Sequence, residues 1–331
     1  MKTCSFLFAI ASLLAFSVIL FGCTAPVATP AVESGSRLNV LATTTIVADV
    51  VRNIGGEKIN LTVLLPTGVD PHSFQPAPQD IAKMADADLI FANGAGLEEF
   101  LTPMIESANA REKVIYVSEG IELLESAESD DLSHEAEVPS STHTAEEPEH
   151  HHEGGDPHVW FDPNNVIIWT HNITQALSKM DPANAESYQK NSENYLTELK
   201  ALDEWIRQQV SSIPAENRKL VTDHLVFTYF AERYGFVQEG AVIPGYSTVA
   251  EPSAQEIAAL EDIIRQQGVK AIFVGNSVNP ALSRRVAEDT GVQLITIFTG
   301  SLSAPGGGAD TYLEFMRYNV NAIVQALSSA K

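Results

Sequence analysis

From Leu38 onward, short β-rich runs alternate with stretches whose apolar residues recur at helical spacing. Residues 39–42, 60–65, 88–91 and 113–117 form one series of predicted strands, and 219–222, 236–243, 270–274 and 293–298 form a second. Strands alternating with helices predict an α/β fold with parallel sheets. Two such series predict two (β/α) lobes. Between them Tyr188, Tyr195, Leu196, Leu199, Leu202, Trp205, Ile206 and Val210 recur at intervals of three, four or seven. That spacing predicts one amphipathic helix over 181–213. Asp181 before Pro182 reads as its N-cap, with proline at the first helical position. At about 45 Å by the standard rise, the helix is longer than either lobe needs and reads as a rigid spine bridging them. The expected divisions are a first lobe over 37–180, the linking helix, and a second lobe over 214–331.

The first 23 residues, MKTCSFLFAIASLLAFSVILFGC, are an apolar run behind one lysine, the pattern of a secretory signal. A transmembrane anchor is the alternative, because the run approaches spanning length. The ending Leu20-Phe21-Gly22-Cys23 resembles a bacterial lipobox, which implies lipidation of Cys23 as the mature N-terminus. Residues 24–36, small and proline-rich, then read as a flexible tether. The expected location is extracytoplasmic, lipid-anchored to the cell membrane.

Charge narrows the function. With 43 acids against 20 bases the net charge is −23, which repels phosphate backbones and argues against nucleic-acid partners. Both cysteines, Cys4 and Cys23, precede the folded part. Disulfide frameworks, zinc ribbons and cysteine nucleophiles are therefore excluded there. Residues 122–156 carry 12 acids, the five histidines His134, His143, His150, His151 and His152, and no Lys or Arg. Such a composition cannot build a core and predicts a disordered loop. Its histidines are either inert in a solvated acidic insertion or weak auxiliary Zn²⁺ sites. Tight binding there is not expected, because closing a disordered loop on an ion costs entropy.

Of the other four histidines, His171 lies within a helical stretch, 166–179, and reads as structural. His72 (GVDPHSFQPAPQDI), His158 (GDPHVWFDP) and His224 (LVTDHLVFTYF) stand in loops at strand ends or helix starts. That edge is where open α/β sheets place ligands. Any one of them alone reads as an ordinary hydrogen-bonded histidine. Together, three imidazole nitrogens nearly fill a tetrahedral zinc shell.

These motifs, with AEPSAQEI and TYLEFMRYN, resemble the solute-binding lipoproteins of metal-ion ABC transporters (cluster A-I, also called cluster 9). The family has a zinc branch (ZnuA-type) and a manganese branch. The resemblance runs from about Leu38 to near the C-terminus and implies two lobes bridged by a long helix, with the metal in the cleft between them. It places His72, His158 and His224 on the first three family ligands. At the third, the manganese branch usually has Glu and the zinc branch His, so the implied cargo is Zn²⁺, with Mn²⁺ the alternative. The acidic histidine-rich loop is also a zinc-branch feature. At the fourth place the family often has Asp, where this chain has Gly300. Water, or Asp310 carried by the loop of glycines 306–308, is expected there instead.

The implied function is capture of Zn²⁺ and its delivery to a membrane permease, by a protein expected to be a monomer and not an enzyme. A rival from another class is a zinc hydrolase or hydratase, since three histidines with an open position also form catalytic zinc sites. There is no HExxH helix. Asp223, the one carboxylate that could be offered as a base, reads rather as a support for His224 or a helix cap. A lipid tether also permits adhesion or scaffolding, to which no other feature points.

Overall fold

Each strand series closes into its own four-stranded parallel sheet. In the first, β1 (Leu38–Ala42), β2 (Ile59–Val63), β3 (Leu89–Ala92) and β4 (Val114–Tyr116) lie in the order β2-β1-β3-β4. In the second, β5 (Lys219–Thr222), β6 (Val237–Ala241), β7 (Ala271–Gly275) and β8 (Gln293–Ile297) repeat that order as β6-β5-β7-β8. The computed structural model describes residues 37–124 and 155–328. The leader, Cys23, the tether and His134, His143, His150, His151 and His152 lie outside the described residues. Among the described residues no helix is long and apolar enough to cross a membrane.

Strands β3 and β7 are apolar on both sides because both faces of each sheet are covered there. Leu89–Ala92 and Ala271–Gly275 are buried throughout, the continuous pattern of a parallel sheet between helices. On the outer face of the first sheet, Leu41 and Ile90 pack with Met84 of α2 (Pro78–Asp86) and Leu101 of α3 (Leu101–Ala108). On the outer face of the second, Val221 and Ile272 pack with Leu260 of α7 (Ala254–Gln267) and Val286 of α8 (Ala281–Thr290). The inner faces share one core, which also takes in α1 (Thr45–Gly55), α4 (Pro163–Met180), α5 (Ala185–Val210), α6 (Thr228–Tyr234) and α9 (Tyr312–Ser328). Because this core runs through both lobes, packing fixes their relative position.

Helix α5 reaches both lobes. Near its start Asn191 donates to the carbonyl of Ile54 in α1 at 2.9 Å. Further along, Asp203 accepts from Arg233 and Tyr234 of α6 at 2.8–2.9 Å. The Trp205 ring lies 4.7 Å beneath the Arg317 guanidinium of α9. Its buried stripe is Tyr188, Ser192, Tyr195, Leu199, Leu202, Ile206 and Val210. Each large aliphatic side chain there contributes about 1.5–3 kcal/mol by burial, and Leu202→Ala would cost about 2–5 kcal/mol.

Two expectations are corrected. The helix begins at Ala185, not Asp181: Pro182–Asn184 form a separate 3-10 turn. Asp181 accepts from the Asn184 amide and the Tyr188 hydroxyl, at 2.7 and 2.8 Å, so its carboxylate braces the turn through side chains. The predicted disordered segment also ran too far. Asp156 is fully buried, and its N–H donates to the carbonyl of Leu124 at 2.7 Å, bringing together the two sides of the intervening stretch.

Candidate metal centre

The order 2-1-3-4 makes β1 and β5 the strands where the winding reverses, and ligands of open α/β sheets bind beyond the C-terminal ends of strands at such points. All three candidate histidines lie on that side. His72 is in the loop between β2 and α2. His158 precedes the 3-10 turn Val159–Phe161 that leads into α4, and His224 follows β5.

Two of the loops are built by the same tripeptide. In Asp70-Pro71-His72 and Asp156-Pro157-His158, Oδ1 of the aspartate accepts the backbone N–H of the histidine, at 3.1 and 2.8 Å. This is an Asx-turn, with the intervening proline fixing φ. The third histidine uses its immediate neighbour. Asp223 Oδ1 accepts the backbone N–H of His224 at 2.8 Å, while Oδ2 accepts the N–H of Gly275, the last residue of β7, at 2.6 Å. One carboxylate thus holds the histidine to the adjacent strand.

The same aspartates orient the rings. His158 Nδ1 lies 2.7 Å from Asp156 Oδ1, and His224 Nδ1 lies 2.7 Å from Asp223 Oδ1. An acceptor-only carboxylate puts the proton on Nδ1 and leaves Nε2 as a bare lone pair. The three Nε2 atoms converge: His72 to His158 is 3.0 Å and His224 to His158 is 3.2 Å. Between His158 and His224 two acceptors then face each other, an arrangement that a shared cation satisfies. A tetrahedral ion with bonds of about 2.0–2.1 Å spaces its nitrogens about 3.3 Å apart, close to what is found. Carboxylate support on the far ring nitrogen is the usual outer shell of histidine metal sites.

His158 and His224 are almost completely buried and His72 is partly exposed at the mouth. Burial, aided by His158 and His224, pushes the His72 pKa down to about 2. Burial also lowers that of His158, although Asp156 pulls the other way. Both rings are thus neutral, the form that binds a metal. Trp160 packs edge-on to His158, with ring centroids 5.3 Å apart, and donates to the carbonyl of Thr299 at 3.2 Å.

Among the described residues, these three histidines are the only group of at least three His, Cys, Asp or Glu whose ligand atoms lie within 4.8 Å of one another. Asp310 is not brought to them. Its carboxylate accepts the N–H of Gly306 at 2.7 Å and lines a separate cavity of about 360 Å³ with Thr45, Arg52 and Pro66. The turn at 306–308 folds onto Asp310 instead of swinging it inward. His171 is exposed on α4.

The reading from sequence missed three supports. Asp156, assigned to the disordered loop, orients His158. Glu98 is buried, with its pKa raised by desolvation, and accepts from the Thr43 hydroxyl at 2.7 Å and from the N–H groups of Asn93 and Gly94 at 2.7 and 3.0 Å. Asn93 in turn donates to the carbonyl of Pro157, next to His158, at 3.1 Å. The repeated Asp-Pro-His tripeptide was the available signal for Asp156. Nothing local in sequence marks Glu98.

A two-lobed α/β protein with a buried nitrogen site between its sheets is the architecture of a solute-binding protein, and comparison with known proteins agrees. Residues 40–326 match the family described as ZnuA, zinc-uptake complex component A, periplasmic. The manganese-binding lipoprotein MntA of Halalkalibacterium halodurans is 34% identical over 329 residues, covering 99% of this chain and 100% of its own. The manganese ABC transporter substrate-binding lipoprotein PsaA of Streptococcus pneumoniae is 33% identical, covering 89% and 91%. Among solved structures, the periplasmic zinc-binding protein TroA of Treponema pallidum superposes with a TM-score of 0.75 at 28% identity, covering 88% of this chain and 99% of its own. The chain belongs to the ZnuA family of metal ABC transporter substrate-binding lipoproteins.

Proposed function

We propose that this chain captures Zn²⁺ outside the membrane and hands it to the permease of an ABC transporter, with His72, His158 and His224 as its protein ligands and water in the fourth place. The observation that carries this reading is the convergence of three imidazole Nε2 atoms, two of them oriented by buried carboxylates. Mn²⁺ prefers oxygen-rich, higher-coordinate sites, whereas three nitrogens and one water suit four-coordinate Zn²⁺. The protein would be held at the outer face by a lipid on Cys23 and act as a monomer.

The names of the relatives favour a second reading, Mn²⁺ as the cargo, since MntA and PsaA are described as manganese proteins. Catalysis has less support. Asp223 already accepts three N–H groups, two from His224 and one from Gly275, so it offers no free base to a bound water. Metal-stripped protein dialysed against equimolar Zn²⁺ and Mn²⁺ tests the assignment. Zinc should be retained almost alone, and a protein that keeps Mn²⁺ sinks the zinc reading while leaving the transport reading intact. Zinc-loaded protein should show no esterase or carbon dioxide hydration activity above that of free zinc.

A further inference from the structure

His72 is held differently from its two companions. Asp156 and Asp223 each grip a histidine twice, by its backbone N–H and by ring Nδ1. Asp70 accepts the backbone N–H of His72 on Oδ1, at 3.1 Å, while its Oδ2 takes the hydroxyls of Ser73, at 2.9 Å, and of Thr248. Ser73 belongs to the same turn, so its bond stiffens that turn without tying it to anything else. Thr248 comes from the other lobe, in the segment that leads from β6 to α7. That segment is bonded to the His224 turn on both sides of the histidine. The Ile243 N–H donates to the Asp223 carbonyl at 2.7 Å, and the Gly245 carbonyl accepts the Leu225 N–H at 2.9 Å. The Tyr246 ring faces His158, with centroids 6.5 Å apart. Thr248 comes three residues after Gly245, a span of at most about 11 Å. Residues 243–248 thus touch the turns of all three histidines, and Thr248 makes the link to the turn of His72.

We propose that Thr248 is a positioning residue for His72: its hydroxyl, carried on a segment anchored to the His224 turn, fixes Asp70 and so sets the first histidine against the other two from across the cleft. This rests on the reading of the three histidines as metal ligands. A hydroxyl donating to a carboxylate is a charge-assisted bond, stronger than one between neutral groups. Thr248 supplies no ligand atom. Without its hydroxyl all three nitrogens remain, but His72 spends less time in place, and the apparent affinity falls by that fraction. With His72 removed, the hydroxyl has nothing left to position and its loss is silent.

The test is a double-mutant cycle on the full chain, with zinc affinity measured by chelator competition for wild type, Thr248→Val, His72→Ala and the double variant, each checked for folding by circular dichroism. Thr248→Val keeps the shape of the side chain and removes its hydroxyl. Alone it should weaken binding about 10-fold, the lower end for loss of a metal ligand's support, because Thr248 acts through Asp70. Added to His72→Ala, the same change should cost no more than about twofold, the scatter of independent sites. Thr248→Ser, which restores the donor, should recover the loss. Thr248→Val binding like wild type, an equal loss with and without His72, or a Thr248→Ser variant as weak as Thr248→Val overturns the proposal. A crystal structure of metal-free Thr248→Val gives a readout independent of zinc. The turn of His72 should shift and the His72–His158 Nε2 separation should exceed 3.0 Å, whereas an unchanged separation overturns the positioning role. A wild type that fails to hold zinc would instead overturn the assignment of cargo, and the crystal structure would still decide the role of Thr248.

Discussion

His158 and His224 stand 66 positions apart in the chain and on different lobes, yet their Nε2 atoms lie 3.2 Å apart, each ring held by an aspartate at 2.7 Å on its other nitrogen. Two lone pairs aimed at one point are unfavourable unless a cation joins them. The shared core and the bridging helix α5 hold the lobes in the position that makes this pairing possible.

Removing any one nitrogen should be costly. His72→Ala, His158→Ala and His224→Ala should each weaken zinc binding by more than about 100-fold, beyond the range for loss of an outer-shell partner. His171→Ala, exposed on α4, should bind like wild type. Calorimetric titration of the four variants checks this, and retained affinity after all three site changes together would refute the ligand assignment.

The two orienting aspartates should not be equivalent. Asp223 accepts from His224 twice on Oδ1 and from Gly275 on Oδ2. In Asp223→Asn one of those donors must face an NH₂ group. Asp156 Oδ2 is buried without a hydrogen-bond partner, so Asp156→Asn can keep its accepting oxygen toward His158. Both changes should lower zinc affinity within about 10- to 100-fold, with Asp223→Asn nearer the upper end. Chelator competition on the pair gives the ranking, and the reverse order contradicts it.

Acid should destabilise the metal-free protein. Burial and the neighbouring rings hold His72 down to about 2, and burial lowers His158 as well. Unfolded histidines titrate near about 6.5, so below that pH the unfolded chain binds protons that the folded chain refuses. Stability is therefore fully present above about pH 6.5 and falls as pH drops, by up to about 1.4 kcal/mol per pH unit for each ring. The Tm of metal-free wild type should fall between pH 7 and 5, and that of His72→Ala should fall less steeply. Parallel curves would show that His72 titrates normally in the fold.

Leu124 and Asp156 are joined by a backbone hydrogen bond of 2.7 Å, so the stretch between them can be shortened without straining its flanks. Deleting residues 126–152 should leave the Tm within a few degrees of wild type, since a change of ~1 kcal/mol moves the Tm by about 2–4 °C at roughly 150–250 residues and by less in a longer chain. It should also preserve one tight zinc site and remove weaker ones. Calorimetry that finds the same stoichiometry in both chains would leave His134, His143, His150, His151 and His152 without a role in binding metal.

Local pattern carried the eight strands of the described residues, most plainly where a strand covered on both faces is written as an unbroken apolar run, as in Leu89–Ala92 and Ala271–Gly275. The three histidines were legible because each sits in a proline-marked or strand-terminal loop on the ligand-binding edge. Tertiary contacts were not. Glu98 supports His158 through Asn93 and Pro157, a relay across 60 positions that leaves no periodic trace. The start of α5 was misplaced because Asp-Pro also opens a 3-10 turn, and only packing decides between the two. Asp310 read as a reachable carboxylate from its glycine neighbours, but the N–H of Gly306 claims it.

The central claim, a zinc ion held by three imidazoles between the lobes, is tested most directly by zinc-edge X-ray absorption on stoichiometrically loaded protein. Three nitrogens with imidazole scattering at about 2.0–2.1 Å and one oxygen, four ligands in all, is the predicted shell, with one imidazole lost in His158→Ala. A first shell of five or six mostly oxygen ligands, unchanged by His158→Ala, would contradict it.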